Sequence, residues 1–132
     1  MKIILLMGGP RAGVDFFQSL LDGHHQILQF PGIIYINDIL LEILSTKDKK
    51  NLAIKFVKEY SQFFDSRYTE VERHNKLGPR KNKHYKINKN LFIKRFVEFS
   101  KFKNKFKNSS FQNLYLLHKA YNSNISNKNE KI

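Results

Sequence analysis

The chain has 132 residues, a formal charge of +13 and no cysteine, with twelve Phe and six Tyr. That length fits one small domain, and the aromatic content is higher than a disordered chain carries. The lack of Cys in this sequence excludes disulfides, thiolate catalysis and Cys-ligated metal within it.

In chain order, residues 2–7 form a continuous apolar run, IILLM after Lys2, stopped by Gly8, Gly9 and Pro10. The run is too short for a signal-peptide core or a membrane span, so a cytoplasmic setting and a buried parallel strand are expected. Residues 14–22 place Phe16, Phe17, Leu20 and Leu21 on one helical face, with Gly23 as a stop. Residues 27–30 read as a second strand ended by Pro31 and Gly32. Strand, helix and strand within about thirty residues have the size of a βαβ unit.

The remainder reads as helices. Residues 33–44 are almost wholly apolar apart from Asp38 and Glu42, which predicts a largely buried helix. Ser45, Thr46 and Asp48 are candidate caps for the next one, with a core face of Ala53, Phe56, Val57, Tyr60, Phe63 and Phe64. Residues 65–87 lose the period and read as a long polar loop with a short strand at its end. Asn88 is placed to cap a helix reaching about residue 103, facing inward with Phe92, Ile93, Phe96, Val97 and Ser100. Ser109 and Gln112 have capping-box spacing, followed by Phe111, Leu114, Leu117, His118 and Tyr121 at helical intervals. Residues 122–132 are rich in Asn, Ser and Lys and are expected to be a disordered tail.

The expected fold is therefore α/β: a partial P-loop-like parallel sheet of two N-terminal strands followed by several helices, in one domain over residues 1–121. Two parallel strands do not make an independent sheet, so the domain reads as truncated, the front of a larger fold, with an open edge prone to self-association.

Charge is uneven. Residues 1–46 carry two basic and four acidic side chains, net −2, and residues 47–132 carry 22 basic and 7 acidic, net +15. Such a block is either a surface for nucleic acid or another polyanion, or the solvated charge of a composition over-using Lys, Asn and Ile. The second reading is favoured, because no arginine-rich cluster is interleaved with stacking aromatics.

The chemistry concentrates between Gly8 and Asp15. Gly9 and Gly13 permit close backbone approaches, and loop amides with the N–H groups opening a helix at Val14–Phe16 make an anion nest. Arg11 adds a planar cation suited to phosphate or sulfate oxygens. Gly8 and Gly13 have the separation of G-x-x-x-x-G-K-[ST], but Val14 and Asp15 occupy the lysine and hydroxyl places, so a nucleotide triphosphatase is disfavoured.

The stretch LLMGGPRAGVDFFQSLLDGHHQILQFPG resembles the N-terminal region of sulfotransferases, especially the branch bearing G-x-P-R-S-G-T-T, a leucine-rich helix, then L-L-D-x-H-P. The likeness covers about residues 3–32. It implies that Gly9, Pro10, Arg11, Ala12, Gly13, Val14 and Asp15 bind the 5′-phosphosulfate of 3′-phosphoadenylyl sulfate. It also implies that Arg11 is catalytic, stabilising charge on the leaving group, with sulfonate passing to an unknown hydroxyl or amine acceptor. No metal is implied. Gly9, Pro10, Arg11 and Gly13 match the pattern. Ala12 replaces Ser, Val14 and Asp15 replace two Thr, and His25 replaces Pro. Asp15 suits a helix-dipole role in the first turn, turned away from a bound anion. Phe30, Pro31 and Gly32 stand where some relatives carry an acidic base, so none transfers. The family's 3′-phosphate site has no counterpart before Ile132.

The histidines suggest little beyond this. His24, His25, His74, His84 and His118 lack zinc-ligand spacing, and His118, on an apolar helix face, reads as a packed residue.

Overall fold

A computed structural model of the chain describes residues 4, 8, 13–21, 26–30, 34–65, 76–77, 83–84, 87–102 and 106–126. Helix α1 spans Val14–Leu20, α2 Asp38–Ser45, α3 Lys49–Glu59, α4 Lys89–Ser100 and α5 Ser109–Ser126, with a 3₁₀ turn over Ser61–Phe63 after α3. The strand pairing among the described residues is a two-residue antiparallel ladder between β1, Lys76–Leu77, and β2, Lys83–His84. The architecture is helical, which corrects the expected α/β fold with a parallel sheet.

Four helices close a ring. Helix α2 packs on α3, α3 on α4, α4 on α5, and α5 back on α2. Their apolar stripes meet at its centre, where Leu52, Phe56, Phe92, Phe96, Leu117 and Tyr121 are fully buried. The core face read for α3 and the turn beyond it is present, with Ala53, Phe56, Val57, Tyr60, Phe63 and Phe64 all buried. For α4 the outcome is graded: Phe92 and Phe96 are buried, while Ile93 packs against the core from its margin.

Short polar side chains set the helix ends. The Asp48 carboxylate accepts from Asn51 N–H at 2.5 Å and caps α3, while Ser45 and Thr46 instead close α2 by donating to the Glu42 carbonyl. Asn88 caps α4 through Leu91 N–H at 3.0 Å. Helix α2 starts at Asp38, later than residue 33, because Asn37 accepts from Leu40 N–H at 2.9 Å. The capping box expected at Ser109 is replaced by a cap from Asn108. Asn108 accepts from Ser110 and Phe111 N–H, and buried Gln112 reaches back to Phe106 N–H. Helix α5 continues to Ser126, through residues where the sequence reading began its tail, and Asn124 is buried on its inner face.

The correction at residues 27–30 has a clear cause. They form no strand, and the Gln29 carbonyl accepts from the Asn122 side chain at 3.0 Å rather than from a ladder. Phe30 inserts its ring into the helical core. Its centroid lies 5.3 Å from Phe56, 5.4 Å from Phe63, 4.2 Å from His118 and 4.9 Å from Tyr121. Of residues 27–30 only Phe30 is buried, and Leu28 is 41% exposed. Residues 2–7 lie outside the described residues except Ile4, which is 78% exposed and in no strand.

One buried polar residue ties the ring. Asn113 of α5 donates to the Leu44 carbonyl at 2.8 Å and accepts from the Lys49 ammonium at 2.7 Å, bridging the end of α2 and the start of α3. Substituting Asn113 by Ala leaves that carbonyl without its partner and should cost about 2 kcal/mol. Phe30→Ala should cost about 3–5 kcal/mol, as a fully packed aromatic does. Urea unfolding followed by circular dichroism measures both. A Phe30→Ala cost under about 1 kcal/mol would show that the segment is not part of the core.

Candidate functional site

The positions assigned to anion binding straddle the start of α1. Gly9, Pro10, Arg11 and Ala12 lie outside the described residues, and Gly13, Val14 and Asp15 lie within them. Gly13 has φ +72°, in the left-handed region, and its carbonyl accepts the first intrahelical bond from Phe17 N–H at 2.9 Å. The N–H groups of Val14 and Asp15 thus precede that bond, where a helix leaves donors without intrahelical partners. A Cβ on Gly13 would meet nothing within 4 Å. Glycine is required here for its dihedral, not for space.

Helix α1 departs from expectation in its apolar face. Phe16, Phe17 and Leu20 are 69%, 50% and 63% exposed, where burial against a sheet was expected. The exposed apolar run continues through Tyr35 and Ile36 to Ile39 and Leu41 of α2.

A second cluster forms where residues 26–30 meet α5. His118 sits against Phe30, with Nδ1 2.8 Å from the Leu114 carbonyl. A carbonyl only accepts, so Nδ1–H donates and the ring is the neutral Nδ1–H tautomer. Burial lowers its pKa from 6.5 to about 4, against a smaller raising effect of the Leu114 carbonyl. Asn122 donates to the Gln29 and His118 carbonyls, joining the segment to the helix. The packed role read for His118 is present, whereas Asn122 was read as tail. Its neighbours carried the signal: Asn113, Leu117, Ala120, Tyr121 and Asn124 continue one helical stripe past residue 122.

The electrostatics of the helical ring are mild. Residues 34–65, 87–102 and 106–126 carry eleven basic and six acidic side chains, net +5 of the chain's +13. Glu42 and Lys55 pair at 3.2 Å in solvent, an interaction worth little. The Tyr60 phenol is pushed up by burial and further by Glu59. Among the described residues there is no group of three His, Asp or Glu able to hold a metal ion, and no helix long and apolar enough to cross a membrane.

No family model, curated protein or solved structure matches the chain.

The Gly13 geometry is open to test. Gly13→Ala forces a Cβ into the left-handed region at a cost of about 1–2 kcal/mol, with no steric contribution. Loss of α1 amide protection, with the α3 and α4 amides unchanged, is expected in hydrogen exchange. Unchanged α1 protection would show that the positive φ is dispensable.

Proposed function

We propose that the chain is a sulfotransferase-like protein that binds the 5′-phosphosulfate of 3′-phosphoadenylyl sulfate on its 9–15 loop. Sulfonate then passes to a hydroxyl or amine acceptor. The observation that carries this reading is Gly13 at φ +72° immediately before α1, because a loop-to-helix anion motif needs glycine at such a position. The Gly9, Pro10, Arg11 and Gly13 matches add their weight. No parallel sheet forms part of the proposal.

In this mechanism the acceptor heteroatom attacks sulfur as the bond from sulfur to the bridging phosphate oxygen breaks. The leaving 3′-phosphoadenosine 5′-phosphate keeps the bonding electrons, and the acceptor proton passes to solvent. Arg11 and the loop amides offset the negative charge gathering on the departing oxygen, an effect greatest when the donors are already aimed at it. Ala12, Val14 and Asp15 supply fewer hydroxyl donors than Ser and Thr would, so ground-state binding is weak.

Titration calorimetry with 3′-phosphoadenosine 5′-phosphate tests the reading. Weak binding is expected, abolished in Arg11→Ala and strengthened about tenfold in Asp15→Thr, which removes a negative charge and restores a hydroxyl. If Arg11→Ala costs nothing and Asp15→Thr changes nothing, the loop is a turn alone. Affinity for a DNA duplex that falls steeply with salt and ignores Arg11 would instead identify a polyanion-binding module.

A further inference from the structure

The net charge of the helical ring belongs to α4 and α5. Residues 34–65, which hold α2 and α3, carry five basic and five acidic side chains and are neutral. Residues 87–102 and 106–126 carry six basic side chains and one acidic, Glu98, and so account for the whole net +5. In the sequence no acidic residue occurs from 99 to 129.

The same two helices share a seam of half-buried aromatics. Arg95 of α4 donates to the Ser123 carbonyl, the Lys119 ammonium lies 4.3 Å over the Phe99 ring, and Phe106 is 6.1 Å from Tyr115. Numbers rise along one helix as they fall along the other, so α4 and α5 run antiparallel. Two exposed rings stand where the seam reaches the end of α4 and the start of α5. Phe102 follows Phe99 by three residues, donates its N–H to the Phe99 carbonyl at 3.2 Å, and is 69% exposed. Phe111 lies one helical turn before Tyr115 and is 49% exposed. Exposed Lys101 directly precedes Phe102, and exposed Lys107 stands four residues before Phe111.

We propose that this end of the ring is a membrane-surface site: Phe102 and Phe111 enter the interface of an anionic lipid bilayer while Lys101 and Lys107 hold its headgroups.

Two independent features meet here. A phenyl ring has no polar tip, so its exposure is unfavourable in water and its entry into the acyl boundary is favourable. Lysine stems lie along apolar surface while their ammonium groups stay at headgroup level, so the cations need not follow the rings inward. Charge of this size alone makes no strong polyanion surface, and anchoring to a bilayer takes such a second signal. Base recognition fits less well. The arginine of these helices, Arg95, is engaged with the Ser123 carbonyl, and the cations next to Phe102 and Phe111 are lysines, which bind phosphate as point charges.

The test uses the full chain with phosphatidylcholine vesicles made with and without phosphatidylserine. Much of the +13 lies in other segments, so binding alone does not locate the surface, and variants are required. Binding to the phosphatidylserine vesicles is expected. It should weaken about tenfold when Phe102→Ala and Phe111→Ala are combined, and about thirtyfold when Lys101→Ala and Lys107→Ala are combined. The chain has no Trp, so Phe102→Trp supplies a single reporter. Its emission should shift to the blue on the vesicles and be quenched by brominated acyl chains. Absence of vesicle binding overturns the proposal, as does full affinity in the Phe pair, which reduces the contact to charge. Phe102-dependent binding of a single-stranded oligonucleotide without vesicle binding identifies a nucleic-acid surface instead, and Phe102-dependent dimers in sedimentation without vesicle binding identify a second copy of the chain. Should the paired Ala variants fail to fold, the Phe102→Trp chain decides: an unshifted, unquenched indole on bound vesicles excludes insertion at this end.

Discussion

The structure depends on one ring arriving from outside any regular element. Phe30 contributes neither a helical stripe nor a strand, yet it touches rings from α3, the 3₁₀ turn and α5. Aromatic pairs at these separations add roughly 0.5–1.5 kcal/mol each beyond area burial. Its cost is backbone order in a segment without its own ladder. That cost is kept low because the Gln29 carbonyl is served by a side chain, Asn122. A segment anchored this way is defined by its partners on α3 and α5 rather than by its own sequence.

Asparagine plays the same part elsewhere. Asn37, Asn88 and Asn108 each accept from helix-opening N–H groups, and Asn113 and Asn122 bind carbonyls that would otherwise need water. The composition that suggested a solvated, Lys- and Asn-rich chain is thus partly structural: Asn sets where the helices begin and how they connect. Lysine behaves differently. Residues 34–65, 87–102 and 106–126 carry a net +5, so most of the chain's +13 belongs to other segments of the sequence. The ring itself is no polyanion surface of unusual strength.

The helices were legible in the sequence where period and cap agreed. For α3 and α4, Asp48 and Asn88 stood before stripes of Phe, and the structure has both caps and both stripes. Residues 27–30 were misread for a physical reason. Apolar runs of four to six residues bounded by Gly and Pro fit a buried strand and an irregular apolar plug equally well. Phe30 in residues 27–30 is such a plug. What decides between them is whether a second strand is at hand, which is a property of the whole chain. Of the candidate positions, Gly13 was legible as a turn: it has a left-handed φ and opens α1. The role of Asn122 was missed because a run of Asn and Ser resembles a tail unless the stripe from Asn113 is followed past Tyr121.

These two features, the turn at Gly13 and the plug at Phe30, constrain any chemistry at the N-terminus. Charge stabilisation works when donors are fixed before the reaction begins. Gly13 fixes the local hand of the turn, and α1 leaves much of Phe16, Phe17 and Leu20 exposed. Among the described residues, the first fully buried side chain after α1 is Phe30, ten residues beyond Leu20. A loop that packing does not order must be ordered by its ligand. Ordering by the ligand would subtract from affinity while leaving the local geometry of the turn intact. A loop of this kind can be chemically suited to an anion and still bind it weakly.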